Sequence, residues 1–561
     1  MNRRYLNLVL AVVIIATVGQ KAAAKSIVRR ENEVVMVIEM TRHGARSPSK
    51  PSKKNLPWRG LQQGYNYGEL LPAGYRQLYL AGRNTMLKYK SLLDKPFNQS
   101  EYYIRSTRKQ RTMQTAYSAL TGVESITFSR KSVPKMKPNE EGTLPPFKLS
   151  FDPKEVVGYD TPLPYGLEPP ILHTLDLDDD PLLRPYNFQE CKTYYKWATK
   201  KVSKPAKKKF IKEKRVQKFR KQLVDYLNNR YTSSATNSAL KATTKAPFKQ
   251  LNPESLSYKD LSDLGDLAIS DNSLHADKPK DHMMFNQSKL FRKLKYINTL
   301  NHYSKFIDDH IVRTLVSPFL IELRQKIMLK MNSISSRNDP NYDFNLKYGL
   351  YATHDTIMTP ILKSFKLIKE YCVVQKGTSL RHQNCLAKPP FAGNLVWELI
   401  QKGDPDRPDF YIRSTYLGKY YDLCDLQERK GIKVDEFYSC SYDEFNQFIG
   451  GMTHVNWRES CKQKAQKIKE EEEDKRKRES GDMFLGLCPY GLAYGLLTLL
   501  AVLSLLRMGH VLSRLNIVQG QMFRLYFKSL SKEEKEKVMA GDPRFMGQFM
   551  QNEETEKLKK E

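Results

Sequence analysis

Three segments of the chain share one pattern, an apolar strand-like run that ends in a polar loop. "EVVMVIEM" (Glu33 to Met40) runs into "TRHGARSP", "EYYIRS" (Glu101 to Ser106) into "TRKQRTMQTAYSAL", and "KYGLYAT" (Lys347 to Thr353) into "HDTIMTPIL". The second and third runs continue into helical patterns. Strand–loop–helix units build parallel sheets, and ligands bind beyond the carboxyl ends of such strands. The sequence therefore predicts an α/β fold, in which a parallel-rich sheet is flanked by helices and three charged loops face one site.

A long middle region, about 150–335, predicts a mostly helical cap on this sheet. It contains a basic insertion, "KKVSKPAKKKFIKEKRVQKFRK" (Lys200 to Lys221), and a Ser/Thr-rich stretch from Tyr231 to Pro247. Charge blocks are usually solvated, which we favour over a polyanion-gathering role for the insertion. The formal net charge of +32 favours anionic partners without choosing among them. No aromatic-interleaved motif accompanies the charge, so we expect no nucleic-acid partner.

The first 24 residues have the three parts of a signal peptide. Arg3 and Arg4 precede the apolar run "YLNLVLAVVIIATV", and "KAAAK" supplies small residues before a cleavage near Lys25. An uncleaved anchor is the alternative, but the run is short for a span. The sequence predicts export of the following domain, residues 25–465, through the secretory pathway.

A second apolar run, "MFLGLCPYGLAYGLLTLLAVLSLL" (Met483 to Leu506), contains no charge. It is long enough to cross a bilayer core of roughly 30 Å, so we expect a C-terminal transmembrane helix. A charged linker at 466–482 precedes it and a polar tail at 507–561 follows it. Together with the signal peptide this predicts a single-pass type I membrane protein. Its folded domain would be lumenal or extracellular, in the ER or Golgi, the lysosome or the cell surface.

Cysteine usage agrees with an exported domain. Six of the seven cysteines precede the apolar run, enough for three disulfides of open connectivity: Cys191, Cys372, Cys385, Cys424, Cys440 and Cys461. Cys488 lies within the run. "NQS" at Asn98 and at Asn286 predicts two glycosylation sites. No CxxC or other metal-ligand spacing occurs, so we expect no metal and no cofactor.

The first loop has the composition of an anion site. Arg42 and Arg46 flank His43, and Arg105 comes from the end of the second strand. Guanidinium groups match phosphate oxygens. Their positive charge disfavours protonation of His43 and leaves a neutral, nucleophilic imidazole. Gly44 permits a tight turn close to a ligand.

The third loop supplies the remaining groups for attack at phosphorus. His354 can donate to a phosphoryl oxygen. Asp355 can protonate the leaving alkoxide and then activate water, which requires a protonated carboxyl and favours low pH. No metal is required, because arginines and histidines carry the transition-state charge.

These motifs resemble those of the histidine acid phosphatases of the prostatic and lysosomal type. "RHGARSP" resembles the RHGxRxP signature, the "HD" of "YATHDT" the second signature, and "YIRSTRKQRT" the RST…RT segment. The resemblance runs from about Val34 to Cys461. It implies an α/β domain with a helical cap and metal-free hydrolysis of phosphomonoesters at acid pH. Related phosphoglycerate mutases share R-H-G but lack the HD pair and an export signal.

Carried over to this sequence, the resemblance makes His43 the phosphohistidine nucleophile and Asp355 the proton donor. Arg42, Arg46, Arg105 and His354 match the phosphate-binding residues. It also implies a disulfide between Cys191 and a late cysteine, such as Cys440 or Cys461.

Three points stay open at this stage. The basic insertion leaves room for an inositol-polyphosphate phosphatase. A membrane receptor that binds phosphate or polyanions with little turnover is the alternative outside the enzymes. A homodimer is also left open.

Overall fold

The computed structural model describes residues 33–51, 64–93, 98–124, 144–147, 149–150, 152, 170–231, 250–275, 288–336, 343–368, 388–404, 407–421, 423 and 439–485. Several predictions lie outside these residues: the signal peptide, Asn286, Cys372, Cys385, Cys424, Cys488, the tail 507–561 and nearly all of the Ser/Thr-rich stretch. The chain divides into two compact units, Met1–Ile468 and Lys469–Glu561.

One sheet organises the first unit. Its strands are β1 (Glu33–Arg42), β2 (Tyr102–Ser106), β3 (Leu172–His173), β4 (Tyr348–Thr353), β5 (Asn394–Asp404), β6 (Arg407–Tyr416), β7 (Lys419–Tyr421) and β8 (Ser439–Ser441). Their order is β3-β2-β4-β1-β5-β6-β7, and β8 pairs with β6. Strands β1 to β4 are parallel, whereas the pairs β1–β5, β5–β6, β6–β7 and β6–β8 are antiparallel. The prediction of a parallel-rich sheet was therefore wrong. Only two residues separate β5 from β6 and β6 from β7, a spacing that suits antiparallel neighbours. The pairing of β1 with β5 is also antiparallel, but it joins strands that are distant in the chain.

The described helices are α1 (Pro72–Lys88), α2 (Lys90–Leu93), α3 (Gln110–Glu124), α4 (Gln189–Lys212), α5 (Lys214–Tyr231), α6 (Tyr258–Leu274), α7 (Ser288–Tyr303), α8 (Asp309–Ser335), α9 (Asp355–Ser364), α10 (Tyr442–Met452) and α11 (Trp457–Leu485). Helices α8, α9 and α10 share a hydrophobic core with one face of the sheet, and α1 and α3 cover the other.

Strand β1 is buried on both faces because its side chains alternate between these two cores. Met36, Ile38 and Met40 belong to the first, and Val37 belongs to the second. This alternation explains why the run is continuously apolar rather than polar at every other position.

Close backbone approach fixes helix α1 beneath the loop that follows β1. A Cβ added at Gly44 would lie 2.5 Å from the carbonyl oxygen of Gly74 in α1, and one added at Gly74 would lie 2.2 Å from that of Ala45. The side chain of Gln77 also accepts a hydrogen bond from the backbone N–H of Ala45 at 2.9 Å. Gly44 is thus required by its contact with α1.

Helices α5, α6 and α7 have a hydrophobic core of their own, built from residues such as Leu223, Leu261 and Leu294. The basic insertion occupies the end of α4 and the first half of α5, where most of its lysines are exposed. These helices lie within the region predicted as a cap. Whether this region forms a separate domain stays a prediction.

The predicted membrane topology was wrong. Among the residues that the structure describes, no helix has both the length and the apolar character needed to cross a membrane. The first residues of the predicted span, Met483 to Leu485, instead end the charged helix α11, which also takes up the predicted linker 466–482. Helix α11 carries the run "KEEEEDKRKRE", and such charges are costly in a bilayer core. Residues 486–506 lie outside the described residues, so the single-pass type I arrangement has no described helix to support it.

A disulfide joins α4 to α11. It links Cys191 to Cys461, which is one of the two pairings that the family resemblance implied. The alternative, Cys191 with Cys440, was wrong, although Cys440 is itself disulfide-bonded. Asn98 is exposed before β2, so its glycosylation stays a prediction.

Candidate active site

The carboxyl ends of three parallel strands bring the charged loops together. In the register, Arg42 of β1 lies opposite Thr353 of β4, and Ser106 of β2 lies opposite Ala352. The residues that follow the strands therefore share one edge of the sheet. The rings of His43 and His354 lie there edge to face, with centroids 5.4 Å apart.

The imidazole of His43 is held in one tautomer. Its Nδ1 lies 2.9 Å from the carbonyl oxygen of Gly44, which can only accept a hydrogen bond. Nδ1 therefore carries the proton, and Nε2 keeps its lone pair. Burial, followed by the charges of Arg111 and Arg42, holds the pKa of His43 well below its usual value. The result is a buried, neutral imidazole whose unprotonated nitrogen can attack.

Arg42 connects the first loop to the third. Its Nη2 lies 2.8 Å from Oδ2 of Asp355, and its Nη1 donates to the carbonyl oxygen of Pro389 at 2.7 Å. The ring of Phe391 lies 4.5 Å from the guanidinium carbon, a cation–π arrangement. Arg42 is thus fixed on three sides beside the proposed proton donor.

Arg46 is engaged by the region predicted as a cap. Its two terminal nitrogens donate to both carboxylate oxygens of Asp266 in α6, at 3.2 and 2.9 Å. Burial alone would raise the pKa of Asp266, but Arg46 and Lys388 outweigh it and hold that pKa far below the usual range. A phosphate that uses Arg46 must therefore compete with, or share, this carboxylate.

Arg105 does not join the two histidines through any described contact. Its Nη2 donates to Oδ1 of Asp180 at 3.0 Å, and both side chains are buried. Asp180 also accepts from the backbone N–H groups of Leu182 and Leu183. We interpret this ion pair as structural, because it anchors the loop after β3 to the end of β2.

Arg111, in the first turn of α3, takes the place that we expected for Arg105. Its Nη2 lies 3.4 Å from Nδ1 of His354. Its charge is the largest electrostatic contribution that lowers the pKa values of both His43 and His354. Burial, with Arg46 as a second cause, lowers the pKa of Arg111 itself to about 10. In the described part of the chain Arg111 has no carboxylate partner, so its guanidinium N–H groups are available to bind an anion.

His354 is oriented by a chain of hydroxyl groups. Its Nε2 lies 3.0 Å from Oγ1 of Thr107, which lies 2.7 Å from Oγ1 of Thr112. Thr112 can donate to the carbonyl oxygens of Thr107 and Lys109. If each hydroxyl donates onward, Nε2 carries a proton and the Nδ1 lone pair faces Arg111. Donation to a phosphoryl oxygen from Nδ1 then requires the imidazolium form.

Asp355 begins helix α9 among several cations. Besides Arg42, Nζ of Lys388 lies 3.5 Å from its Oδ2. Burial alone would raise the pKa of Asp355, but the electrostatic attraction of neighbouring groups, above all Arg42 and also Lys388, outweighs burial and holds the pKa well below the usual range. In the free protein this carboxyl is ionised.

The structure brings together five of the six site residues predicted from the sequence: Arg42, His43, Arg46, His354 and Asp355.

The sequence predictions missed three residues of the site: Arg111, Lys388 and Asp266. Arg111 had a signal, since it stands at the start of the helix that follows β2, whose first turn points to the same edge as the strand end. Lys388 and Asp266 had none, because they reach the site from distant segments. Among the described residues no cluster of histidine, cysteine or carboxylate side chains could hold a metal ion.

Comparison with known proteins supplies the family. Residues 33–416 match the model of the histidine phosphatase superfamily, branch 2. The chain belongs to this superfamily. The match begins with β1 and ends with β6, so it includes every residue of the site described above.

Individual relatives of this histidine phosphatase match over shorter stretches. Lysosomal acid phosphatase of Xenopus laevis is 34% identical over 98 residues, which are 17% of this chain and 22% of that protein. Human lysosomal acid phosphatase is 28% identical over 110 residues, 20% of this chain and 25% of that protein. These matches therefore span about a quarter of the curated relatives.

Two solved structures resemble the chain over a larger share. Multiple inositol polyphosphate phosphatase of Bifidobacterium longum, in complex with inositol hexasulfate, has a TM-score of 0.49 at 13% identity and covers 76% of this chain and 94% of its own. The phytase of Citrobacter braakii has a TM-score of 0.45 at 14% identity, with 76% and 99% coverage.

Proposed function

We propose that this histidine phosphatase hydrolyses phosphomonoesters through a phosphohistidine at His43, with Asp355 as the proton donor. One observation carries the proposal. His43 is buried and neutral with its Nε2 unprotonated, the charges of Arg111, Arg42 and Arg46 act on it, and Arg42 contacts the carboxyl group of Asp355.

In the first step, Nε2 of His43 attacks phosphorus and the ester P–O bond breaks. The bond to Nε2 makes the imidazole cationic, and the hydrogen bond from Nδ1 to Gly44 holds it in line. The arginines and a protonated His354 bind the phosphoryl oxygens and offset the charge that develops on them. The leaving alkoxide takes its proton from Asp355.

In the second step, Asp355 takes a proton from water, which attacks phosphorus as the P–N bond breaks. Inorganic phosphate leaves, and His43 returns to its neutral form. Asp355 is protonated again, so both catalytic groups are back in their starting protonation states. Apart from the attacking water, both steps use side chains of the described residues.

Acid pH favours this chemistry because Asp355 and His354 must both be protonated. Asp355 is ionised in the free protein, because the cations Arg42 and Lys388 stabilise its carboxylate. A bound phosphate dianion offsets these cations, so it raises the pKa of Asp355 and of His354. Protons that both groups need are more available at low pH, whereas His43 stays neutral because its own pKa is lowered.

The test follows hydrolysis of an aryl phosphate by the full chain from pH 4 to 8, with EDTA present. His43→Ala should abolish turnover, and Asp355→Asn should reduce it by about 10²-fold or more, since general acid catalysis contributes about 10²–10⁴-fold. Binding of inorganic phosphate should survive in His43→Ala. A folded wild-type protein that binds phosphate but hydrolyses nothing would instead favour the receptor.

The same assay separates a broad phosphatase from one for inositol polyphosphates. The exposed lysines of α4 and α5 are the feature that would suit a polyphosphorylated substrate. A kcat/KM at least tenfold higher for an inositol polyphosphate than for the aryl ester would support that alternative. Equal values would support a broad phosphomonoesterase.

A further inference from the structure

The segment from Lys388 to Gly393 forms a wall of the site that the signature motifs do not include. It supplies the carbonyl oxygen of Pro389 and the ring of Phe391 to Arg42. At its start, the ammonium of Lys388 turns inward, and its side chain is only 12% exposed. A lysine is rarely buried without a defined partner.

Lys388 has two partners. Its Nζ donates to Oδ1 of Asn298 at 2.6 Å and lies 3.5 Å from Oδ2 of Asp355. The orientation of the Asn298 amide is fixed, because its Nδ2 donates to the carbonyl oxygen of Ser262 at 2.9 Å. Residues of helices α6 and α7 thus position the ammonium group of Lys388 beside Asp355, the proposed proton donor.

Charged and titratable groups face this pair from several elements. Asp355 is faced by Arg42 and His43 from β1 and its loop, by His302 from α7, and by Lys388. Lys388 is faced by Asp355, by Arg42 and Arg46, and by Asp266 from α6. Burial lowers the pKa of Lys388 to about 8 although Asp355 opposes this, so the lysine is a cation throughout the acid range.

His302 cannot provide this charge. Its Nε2 lies 2.8 Å from Oγ1 of Thr359 and 3.2 Å from the backbone oxygen of Asp355. Burial lowers its pKa to about 3, which keeps it neutral when the enzyme would work. Among the residues that the structure describes, Arg42 and Lys388 are therefore the two permanent cations in contact with the Asp355 carboxyl group.

We propose that Lys388 is a positioning residue that orients the Asp355 carboxyl group and sets the pH above which this group no longer acts as an acid. The inference rests on the proposed function. Lys388 need not touch the scissile phosphate for this, since it acts through Asp355.

The experiment compares the pH profiles of kcat and kcat/KM in wild type, Lys388→Met and Lys388→Arg, with an aryl phosphate. Removing a cation at this distance raises the pKa of a carboxyl by about 1–3 units. In Lys388→Met the alkaline limb should therefore move to higher pH by at least about one unit. The maximum of kcat should fall because Asp355 is less well oriented, with little change in KM. Lys388→Arg keeps the charge and should leave the limb close to that of wild type.

Two further variants keep the test decisive. Asn298→Ala leaves the lysine in place but removes the group that aims it, so it should give a smaller shift in the same direction, and it carries the test if Lys388→Met does not fold. Lys462→Met removes an exposed lysine of α11 and should change nothing. An alkaline limb in Lys388→Met that coincides with wild type overturns the proposal, as does a change confined to KM, which would make Lys388 a substrate ligand. A wild type without turnover at any pH is a different result, because it overturns the proposed function and this inference with it.

Discussion

Nη2 of Arg111 lies 3.4 Å from Nδ1 of His354, which places this arginine beside the two histidines of the site. Arg105, six residues earlier in the chain, is instead held by the buried carboxylate of Asp180. Two arginines of one motif therefore have different surroundings, and their substitutions should have different effects.

We expect Arg111→Ala to lower kcat/KM for an aryl phosphate by about 10²–10³-fold, the loss typical of one transition-state donor. Thermal stability should change little, because no described carboxylate depends on Arg111. The affinity for inorganic phosphate should fall as well, which isothermal titration can measure.

Arg105→Ala is the matched control. It leaves Asp180 buried and unpaired, so it should lower the free energy of unfolding by about 3–5 kcal/mol. The activity of the protein that stays folded should remain within a fewfold of wild type. The reverse pattern, a stable but inactive Arg105→Ala beside an active Arg111→Ala, would restore the role predicted from the sequence.

Much of the site was predictable because the change from an apolar run to a polar loop marks the end of a strand in the sequence. The apolar runs before Arg42 and His354 identify two parallel strands, and residues that follow neighbouring parallel strands must share an edge. The choice between Arg105 and Arg111 was not predictable in this way. It depends on the contacts that the side chain of Arg105 makes near the end of β2, above all with the carboxylate of Asp180, which comes from another segment.

The antiparallel half of the sheet and the wall at Lys388 were missed for a related reason. Strand β5 begins with an apolar run and β6 mixes charged with apolar residues, and neither sequence indicates which strand will be its neighbour. Lys388 and Asp266 are single charged residues far from the motifs, and only the packing of α6 and α7 against the site gives them partners. The basic insertion, by contrast, was easy to see but lies mostly on exposed helix surface.

Buried histidines predict how stability depends on pH. His43, His302 and His354 have pKa values lowered by burial, whereas unfolded histidines titrate near about 6.5. Below that pH the unfolded chain binds protons that the folded chain does not, so stability is lost as the pH falls. We expect the thermal midpoint of the phosphate-free protein to drop between pH 7 and 5.

Inorganic phosphate should offset this loss, because a bound dianion favours protonated His354 and so raises its pKa. The shift in midpoint on adding phosphate should therefore be larger at pH 5 than at pH 7. His302→Gln removes one of the three histidines and should flatten the pH dependence of the phosphate-free protein. A midpoint that rises on acidification would contradict the burial of neutral imidazoles.

The disulfide between Cys191 and Cys461 should contribute to stability but not to chemistry. It joins residues 270 positions apart and lies in a separate hydrophobic cluster with Phe188 and Trp457. Its loss in Cys191→Ala/Cys461→Ala should cost about 2–5 kcal/mol. For a chain of this size that lowers the thermal midpoint by about 2–5 °C. Turnover at 25 °C should stay within about twofold of wild type, and a larger loss of kcat would show that the link also shapes the site.

Asp266 gives the last prediction, because its carboxylate occupies the same fork of Arg46 that phosphate would use. Asp266→Asn removes a negative charge from the site while keeping the shape of the side chain. Inorganic phosphate should then bind about tenfold more tightly, a change of about 1.4 kcal/mol, as measured by isothermal titration at pH 6. Asp263→Asn is the matched control, since Asp263 lies one turn earlier on α6 and pairs with Lys50 and Lys259 rather than with Arg46. Weaker binding in Asp266→Asn would mean that the carboxylate holds Arg46 in its binding position instead of competing for it. The contact between α6 and Arg46 would then be part of the preorganised phosphate site.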